Sequence, residues 1–216
     1  MAGTDFIFVI VALIRSGVSY ERCRRYAALM LGDPTAKYAG RLTLNPLKHL
    51  DPVGSVLVPL ALYIFQTGII FGWAKPVPYN PYNLRNQRWG EALVAGAGPL
   101  TNILLALVFG LAIRVALSLE TVPESFIQIS FLVVFINIVL AVFNLVPIAP
   151  LDGSKILFAA LPLHLLEWRH KLEQFGFIIL LIFIIFFWQF LLPVILFLAS
   201  LFSGLSYPEI MLLLRS

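Results

Sequence analysis

Long apolar runs recur along this chain and are separated by short polar segments. Four runs are long enough to cross a bilayer, whose ~30 Å hydrocarbon core requires about 20 residues of helix. They are residues 53–73, 92–117, 127–146 and 176–202. Because a helix satisfies its own backbone hydrogen bonds inside lipid, each run predicts a membrane-spanning helix. Pro193 lies within the last run, where it would tilt or break the helix.

A fifth run begins at Phe6 and soon meets charge, first at Arg15 and then in the sequence YERCRR at residues 20–25. It reaches spanning length only if the helix continues through those charges to Leu31. The sequence Gly-Asp-Pro at 32–34 then predicts the helix end, because glycine suits a left-handed cap and proline cannot continue a helix. The charged sequence is therefore predicted to form the second half of helix one, at a depth where charge is costly.

The connecting segments are rich in turn-forming residues. Residues 40–51, GRLTLNPLKHLD, begin with alternating apolar and polar positions, which predicts a short strand or hairpin at the membrane interface. Residues 72–90 are rich in proline and asparagine and predict an extended, turn-rich segment. Residues 161–175 intersperse apolar and charged positions and predict an interfacial helix.

Composition agrees with this pattern. Of the 216 residues, 60% are hydrophobic and only 12% are charged, and the mean hydropathy of +0.94 is too high for a soluble domain. We predict an all-α, multi-pass integral membrane protein with one domain over residues 1–216. The net charge of +4 is dispersed, so we expect the lipid bilayer as a partner and no nucleic acid. The one cysteine, Cys23, excludes an intrachain disulfide and a cysteine-only zinc site.

Two motifs place polar side chains at membrane depth. In FNLVPIAPLDGSK, residues 143–155, Pro147 and Pro150 interrupt the helix after Asn144, and the break could aim Asp152 into the helix bundle. An ordinary loop with a solvated Asp152 explains the same spacing equally well. In AGAGPLTN, residues 95–102, small residues favour close helix packing, and Asn102 could hydrogen-bond across a helix interface.

Four segments resemble, in order, the signature segments of the site-2 protease family, the M50-type intramembrane zinc metalloproteases. They are GDPTAKYAGRLTLNPLKHLDPVG (32–54), FGWAKPVPYNPYNLRN (71–86), AGPLTN (97–102) and FNLVPIAPLDGSKIL (143–157). The resemblance is strongest over residues 5–165 and leaves 176–202 as an additional transmembrane helix. It implies a core of about five transmembrane helices, with the interfacial strand or hairpin after helix one and a membrane-embedded, turn-rich segment.

The resemblance also implies a zinc cofactor, held by two histidines of an HExxH motif and by the aspartate of a later NxxPxxPLDG motif. Asp152 stands at the aspartate position, and Glu21 stands at the catalytic glutamate position. Tyr20 and Arg24 stand where the two histidine ligands belong. The family asparagines that position substrate correspond to two residues here, Asn144 and Asn102.

This chain therefore reads YERCR where the family reads HExxH, and both histidine ligands are absent. Arginine stays protonated and has no lone pair to offer a metal. Tyr20, Cys23 and Asp152 could form an alternative metal site. A second hypothesis is that Arg24 pairs with Asp152 and replaces the charge of zinc, with Glu21 pairing a second arginine. A third is that helix one no longer packs.

The sequence alone leaves three functions open. The resemblance implies an intramembrane zinc metalloendopeptidase, or its homologue, that acts on the transmembrane segment of another membrane protein. The loss of both histidines favours a non-catalytic pseudoprotease that binds or retains such substrates. Broken helices and buried polar groups also occur in small membrane transporters, but no half-to-half repeat is present here. For a prokaryotic source, we expect a location in the plasma membrane.

Overall fold

The computed structural model describes residues 3–40, 51–65, 79–119, 122–162 and 167–214. Within these ranges the chain forms helices and turns and contains no strand. The α-helices are α1 (Gly3–Met30), α2 (Thr35–Tyr38), α3 (Val58–Ile64), α4 (Gln87–Leu117), α5 (Glu124–Asn144), α6 (Asp152–Ala160), α7 (Glu167–Ser203) and α8 (Tyr207–Leu213). A π-helical segment, Pro52–Leu57, leads into α3, and a 3-10 turn, Pro81–Asn83, precedes α4.

Three of the described helices are long and apolar enough to cross a membrane, and they confirm three of the predicted spans. They are Arg88–Leu117 of α4, Glu124–Asn144 of α5 and Arg169–Ser203 of α7. The α1 helix has 28 residues, but its charged second half sets it apart from these three. The predicted span 53–73 begins as helix through Ile64, and its later part lies outside the described residues. The expected total of about five transmembrane helices is therefore not confirmed.

Two predicted connectors differ in part from the structure, and a third lies outside it. The turn-rich segment predicted at 72–90 is confirmed over residues 79–86, and residues 72–78 lie outside the described part. It is helical from Gln87, because the Asn86 side chain caps α4 by accepting from the N–H groups of Arg88 and Trp89. The helix predicted at 161–175 is confirmed from Glu167 onward, but it is continuous with the predicted span 176–202, since both belong to α7, which continues through Pro193. The strand or hairpin predicted at 40–51 falls almost wholly on undescribed residues.

The end of α1 is joined to the segment before α4. Gly32 adopts a left-handed φ of 112°, so α1 ends where the Gly-Asp-Pro sequence predicts. Asp33 is buried and accepts from the Asn80 N–H at 2.8 Å, from the Asn83 Nδ2 at 2.9 Å and from Thr35. These bonds hold the carboxyl end of α1 beside the amino end of α4.

The α4 helix is the centre of the packing and contacts α1, α5, α6 and α7. The largest buried apolar cluster brings α4 together with α5, α7 and the α8 end of the chain. Its buried members are Ala106, Ile113, Phe131, Val134, Ile138, Ile195, Leu196, Ala199, Leu205 and Ile210. On the other side, Val9 and Ala12 of α1 pack against Ile136 of α5. The charged half of α1 therefore lies against α4, on the side where α6 also packs.

Candidate functional site

The proline-broken turn delivers Asp152 into the helix bundle. The α5 helix ends at Asn144, the turn contains Pro147 and Pro150, and Asp152 is the first residue of α6. Asp152 is only 4% exposed, so the alternative of a solvated turn residue is wrong. Gly153 follows it because a Cβ at that position would collide with the backbone of Leu145 at the end of α5.

Two side chains of α1 hold the Asp152 carboxylate. The Tyr20 hydroxyl donates to Asp152 Oδ2, and Arg24 Nη2 lies 3.1 Å from Asp152 Oδ1. Tyr20 and Arg24 are one helical turn apart and so share a face of α1. Arg24 also places Nη1 3.4 Å from Glu21 Oε1. The four residues Tyr20, Glu21, Arg24 and Asp152 are called the polar cluster below.

The predicted pairing of Arg24 with Asp152 is thus present. The second part of that hypothesis, a pairing of Glu21 with another arginine, stays a prediction. The contact described for Glu21 is with Arg24 itself. Helix one does pack, which makes the hypothesis of a damaged and detached helix wrong. One guanidinium is shared between two carboxylates, as expected for charges withdrawn from water.

Two further residues complete the surroundings of the cluster. Lys155, one turn after Asp152 on α6, has its Nζ 3.9 Å from Asp152 Oδ1 and donates to the Tyr79 hydroxyl at 3.1 Å. The Tyr79 ring lies 5.1 Å from the Lys155 Nζ and 6.0 Å from the Arg24 guanidinium carbon. Aromatic faces stabilise cations at such distances, so Tyr79 supports both.

The cluster depends on a close approach between α1 and α4. The Tyr20 ring rests on Gly98 of α4, where a Cβ would overlap the ring atoms. The small-residue sequence AGAGP therefore provides the close packing that its composition predicts. A larger side chain at residue 98 would push Tyr20 away from Asp152.

The residues present do not fit a zinc ion of the family type. Both oxygens of Asp152 are engaged by α1, one by Tyr20 and one by a guanidinium that has no lone pair to donate. The alternative site with Cys23 is not assembled either, since Cys23 is exposed while Asp152 is buried. Within the described ranges, no group of three histidine, cysteine, aspartate or glutamate side chains is placed to hold a metal.

Comparison with known proteins identifies the family. The model of Peptidase family M50 matches residues 111–187. The chain is 36% identical over 180 residues to "Putative zinc metalloprotease YwhC" of Bacillus subtilis, which covers 81% of this chain and 78% of the relative. The chain belongs to peptidase family M50, the site-2 protease family. No solved structure matches it.

Two mycobacterial relatives extend the M50 comparison. The chain is 33% identical over 185 residues to "Putative zinc metalloprotease Rip2" of Mycolicibacterium smegmatis, covering 83% of this chain and 67% of the relative. It is 30% identical over 181 residues to the Mycobacterium tuberculosis protein of the same name, covering 82% and 66%. These names associate zinc and proteolysis with the family, whereas the ligand positions of this M50 chain carry tyrosine and arginine.

The two asparagines of the M50 motifs differ in their surroundings. Asn144 is half-buried at the end of α5, and its Nδ2 donates to the Leu140 carbonyl at 2.8 Å. Asn102 is fully buried, and neither atom of its amide has a hydrogen-bond partner among the described residues. The expected bond from Asn102 across a helix interface is therefore not found in the described part. Their role in positioning substrate stays a prediction.

Sequence reasoning missed Lys155, Tyr79 and Gly98 as parts of this site. The contact of Lys155 with Asp152 was predictable from their spacing, because residues three positions apart lie on the same side of a helix. Gly98 was recognised as a packing residue without its partner. Tyr79 carried no signal, because its contact with Lys155 joins residues 76 positions apart.

Proposed function

We propose that this M50 protein is a non-catalytic family member that binds the transmembrane segments of other membrane proteins. The observation that carries the proposal is the double contact of Asp152 with Tyr20 and Arg24. A guanidinium supplies positive charge to the buried carboxylate but no ligand position for a metal. We also propose that it is a multi-pass protein of the plasma membrane, because three of its helices are long and apolar enough to cross a membrane and its relatives come from bacteria.

The state of Glu21 supports the same proposal. The resemblance gives this glutamate the role of general base toward a metal-bound water, so without the metal ligands it has no activated water to deprotonate. Here the Glu21 carboxylate lies against the Arg24 guanidinium, 3.4 Å away, and both side chains are only 17% exposed. The glutamate of the family motif is thus retained in sequence but engaged by a charge partner.

Two features of the fold would allow a transmembrane segment to bind. The α1, α4 and α6 helices still converge on the buried Asp152, so the scaffold around the family site is packed. The Asn144 Oδ1 has no partner among the described residues and could accept an N–H from the backbone of a bound segment. A partly unwound transmembrane segment exposes such donors, which need partners inside a membrane.

Metal content tests the non-catalytic half of the proposal. We expect the purified chain to contain far less than one zinc per molecule. The double variant Tyr20→His/Arg24→His should take up stoichiometric zinc and lose it again when Asp152→Ala is added. Stoichiometric zinc in the unaltered protein, lost on Asp152→Ala alone, would overturn the proposal and restore the protease assignment.

Retention of a membrane substrate tests the binding half. A tagged single-span reporter protein co-expressed with the chain should co-purify with it uncut. Asn144→Ala should reduce the recovered reporter, and Gln128→Ala, a partly exposed residue on the same helix, is the matched control. A reporter that is cut, or one recovered equally with both variants, contradicts the binding proposal.

A further inference from the structure

A second polar site lies outside the polar cluster. A pocket of about 540 Å³ opens between the amino ends of α4 and α7 and the later part of α6. Its charged and titratable lining consists of Arg88, Glu91, Lys155, Arg169, His170 and Glu173. The volume falls within the range of pockets that hold small ligands or head groups, ~300–1,000 Å³.

The pocket lies at the edge of the membrane. Arg88 and Arg169 lie in the first turns of α4 and α7, two helices long and apolar enough to cross a membrane, so the pocket lies at one end of both candidate spans. Tyr82, which lines the pocket, is largely exposed, and Trp89, next to Arg88 in the chain, is half exposed. Exposed tryptophan and tyrosine are typical of the headgroup level of a bilayer. The pocket is therefore placed at the depth of lipid phosphates.

Its electrostatics favour an anion. The amino ends of α4 and α7 point their positive dipole ends toward it, and acidic residues would be the stable choice there. Arg88 stands in the first turn of α4, Arg169 stands with Glu167 in the first turn of α7, and Lys155 adds a third cation to the pocket lining. Glu91 and Glu173 pair with Arg169, and Asp152 lies beside Lys155. Arg88, whose described hydrogen bonds go to carbonyls, is the cation left without a carboxylate among the described residues. An anionic group in the pocket would gain from both helix ends and from the uncompensated cation.

Both arginines are held in place and keep donors free. Arg88 donates from Nε to the Ala159 carbonyl at 2.7 Å and from Nη2 to the Leu161 carbonyl at 2.6 Å. Arg169 uses the same two nitrogens on Glu173 and Glu91, at 2.7 and 3.0 Å. The Nη1 of each has no partner among the described residues. A guanidinium fixed on one side with a free nitrogen on the other is preorganised for a phosphate oxygen.

We propose that this pocket binds the phosphate of an anionic phospholipid headgroup. The site also adjoins the polar cluster, because Lys155 lines the pocket and lies 3.9 Å from Asp152. Tyr79 adds a second link, with its hydroxyl bonded to Lys155 and 3.5 Å from Glu91. A bound phosphate would therefore compete with Asp152 for the Lys155 ammonium.

Native mass spectrometry of the purified full chain tests the proposal. Phosphatidylglycerol and phosphatidylcholine with identical acyl chains are offered separately and together with inorganic phosphate. We expect preferential retention of phosphatidylglycerol. Arg88→Gln should weaken that retention about fivefold, the effect of one basic residue at a membrane surface. Lys37→Gln, an exposed basic residue outside the pocket lining, is the matched control and should change nothing.

A variant of opposite sign separates binding from misfolding. Glu173→Gln removes a negative charge from the rim and should strengthen phosphatidylglycerol retention by a similar factor, which a folding defect would not do. Displacement of the lipid by millimolar inorganic phosphate would support the same phosphate site with a soluble ligand. Equal retention of both lipids in every variant, unaffected by phosphate, would overturn the proposal and leave the non-catalytic function untouched.

Discussion

Asp152 is a buried carboxylate, and a carboxylate withdrawn from water requires a compensating positive charge. In a zinc site the metal ion supplies that charge. Here the Arg24 guanidinium lies 3.1 Å away, and the Tyr20 hydroxyl donates to the other oxygen. The two replacements on α1 therefore act together, because one provides the charge and the other completes the hydrogen bonding of the same side chain.

Removing the guanidinium should expose this dependence. Arg24→Gln leaves Asp152 without its close cation, and we expect a loss of about 3 kcal/mol in the free energy of unfolding. Adding Asp152→Asn should recover most of the loss, because the unpaired charge is then gone. Unfolding of the detergent-solubilised protein measures both, with Arg22→Gln on the same helix as the control. An Arg24→Gln effect as small as that of Arg22→Gln would contradict the pairing.

We expect the stability of the fold to depend on pH through Asp33, which lies outside the membrane spans. Burial opposes its charged form, but hydrogen bonds from Thr35, Asn83 and Asn80 outweigh burial and lower the pKa of the carboxyl. Because the folded state prefers the carboxylate, its contribution is complete above the pKa of the unfolded chain, ~3.9. The contribution is lost as pH falls through the lower pKa of the folded state.

The variant Asp33→Asn should therefore lose about 2 kcal/mol of stability at pH 7, the scale of hydrogen bonds to a charged group. The difference from the unaltered protein should shrink as pH falls below about 4. Thermal unfolding at pH 7, 5 and 3 measures the difference, with Glu124→Gln in the exposed first turn of α5 as the control. A difference that stays constant with pH would contradict the assignment to the carboxylate.

At the scale of helices, the separation of α1 and α4 decides whether the cluster can form. Gly98 lets the Tyr20 ring lie directly on the α4 backbone, and two residues earlier Gly96 has room to spare. At Gly96 an added Cβ would meet the Ile156 side chain at an ordinary contact of 3.9 Å. These two glycines lie on the same helix but face different side chains.

That difference gives a matched pair of substitutions. Gly98→Ala should destabilise the protein by roughly 1–3 kcal/mol through overpacking against Tyr20. Gly96→Ala should be neutral or stabilising, since alanine favours a helix over glycine by ~1 kcal/mol. In a Tyr20→Ala background the Gly98→Ala cost should disappear. Unfolding free energies of the four variants check this, and equal effects at the two glycines would refute the close approach.

In the molecule as a whole, two charged sites lie near α4 and have different roles. One is the polar cluster between α1 and α6, and the other is the pocket at the start of α4 and α7. In the polar cluster two carboxylates share one guanidinium inside the bundle, whereas in the pocket at the start of α4 and α7 the Nη1 atoms of Arg88 and Arg169 have no partner among the described residues. Lys155 lies between them. The stability of the fold should therefore come from internal pairing rather than from a bound metal.

Chelation tests this at the level of the intact protein. EDTA should leave the unfolding temperature of the unaltered chain unchanged, because the Arg24 guanidinium stands beside Asp152 where a metal ion would supply the positive charge. The Tyr20→His/Arg24→His variant should gain zinc-dependent stability, about 2.7 kcal/mol when free zinc is 100-fold above its Kd. Thermal unfolding with and without EDTA measures both. A fall in the unfolding temperature of the unaltered chain would show that a metal supports its fold.

Several features were predictable because their causes are local. Length and apolar composition are sufficient to identify a membrane span, so α4, α5 and α7 were located correctly from the sequence. The end of α1 followed from Gly32, whose left-handed conformation is a local property. The start of α4 was missed because the capping role of Asn86 was not recognised. The start of α7 was missed because charged residues at Arg169 and Glu173 suggested an interfacial helix.

The sequence alone was sufficient to identify a membrane protein. It also showed that Tyr20 and Arg24 stand where the family places histidines. Both conclusions depend on composition and order along the chain. The burial of Asp152, and the contacts of α1 with both of its oxygens, became visible in the packed helices. The physical reason is distance, since Tyr20 and Asp152 are 132 positions apart and meet only because α1 and α6 pack against the same helix, α4.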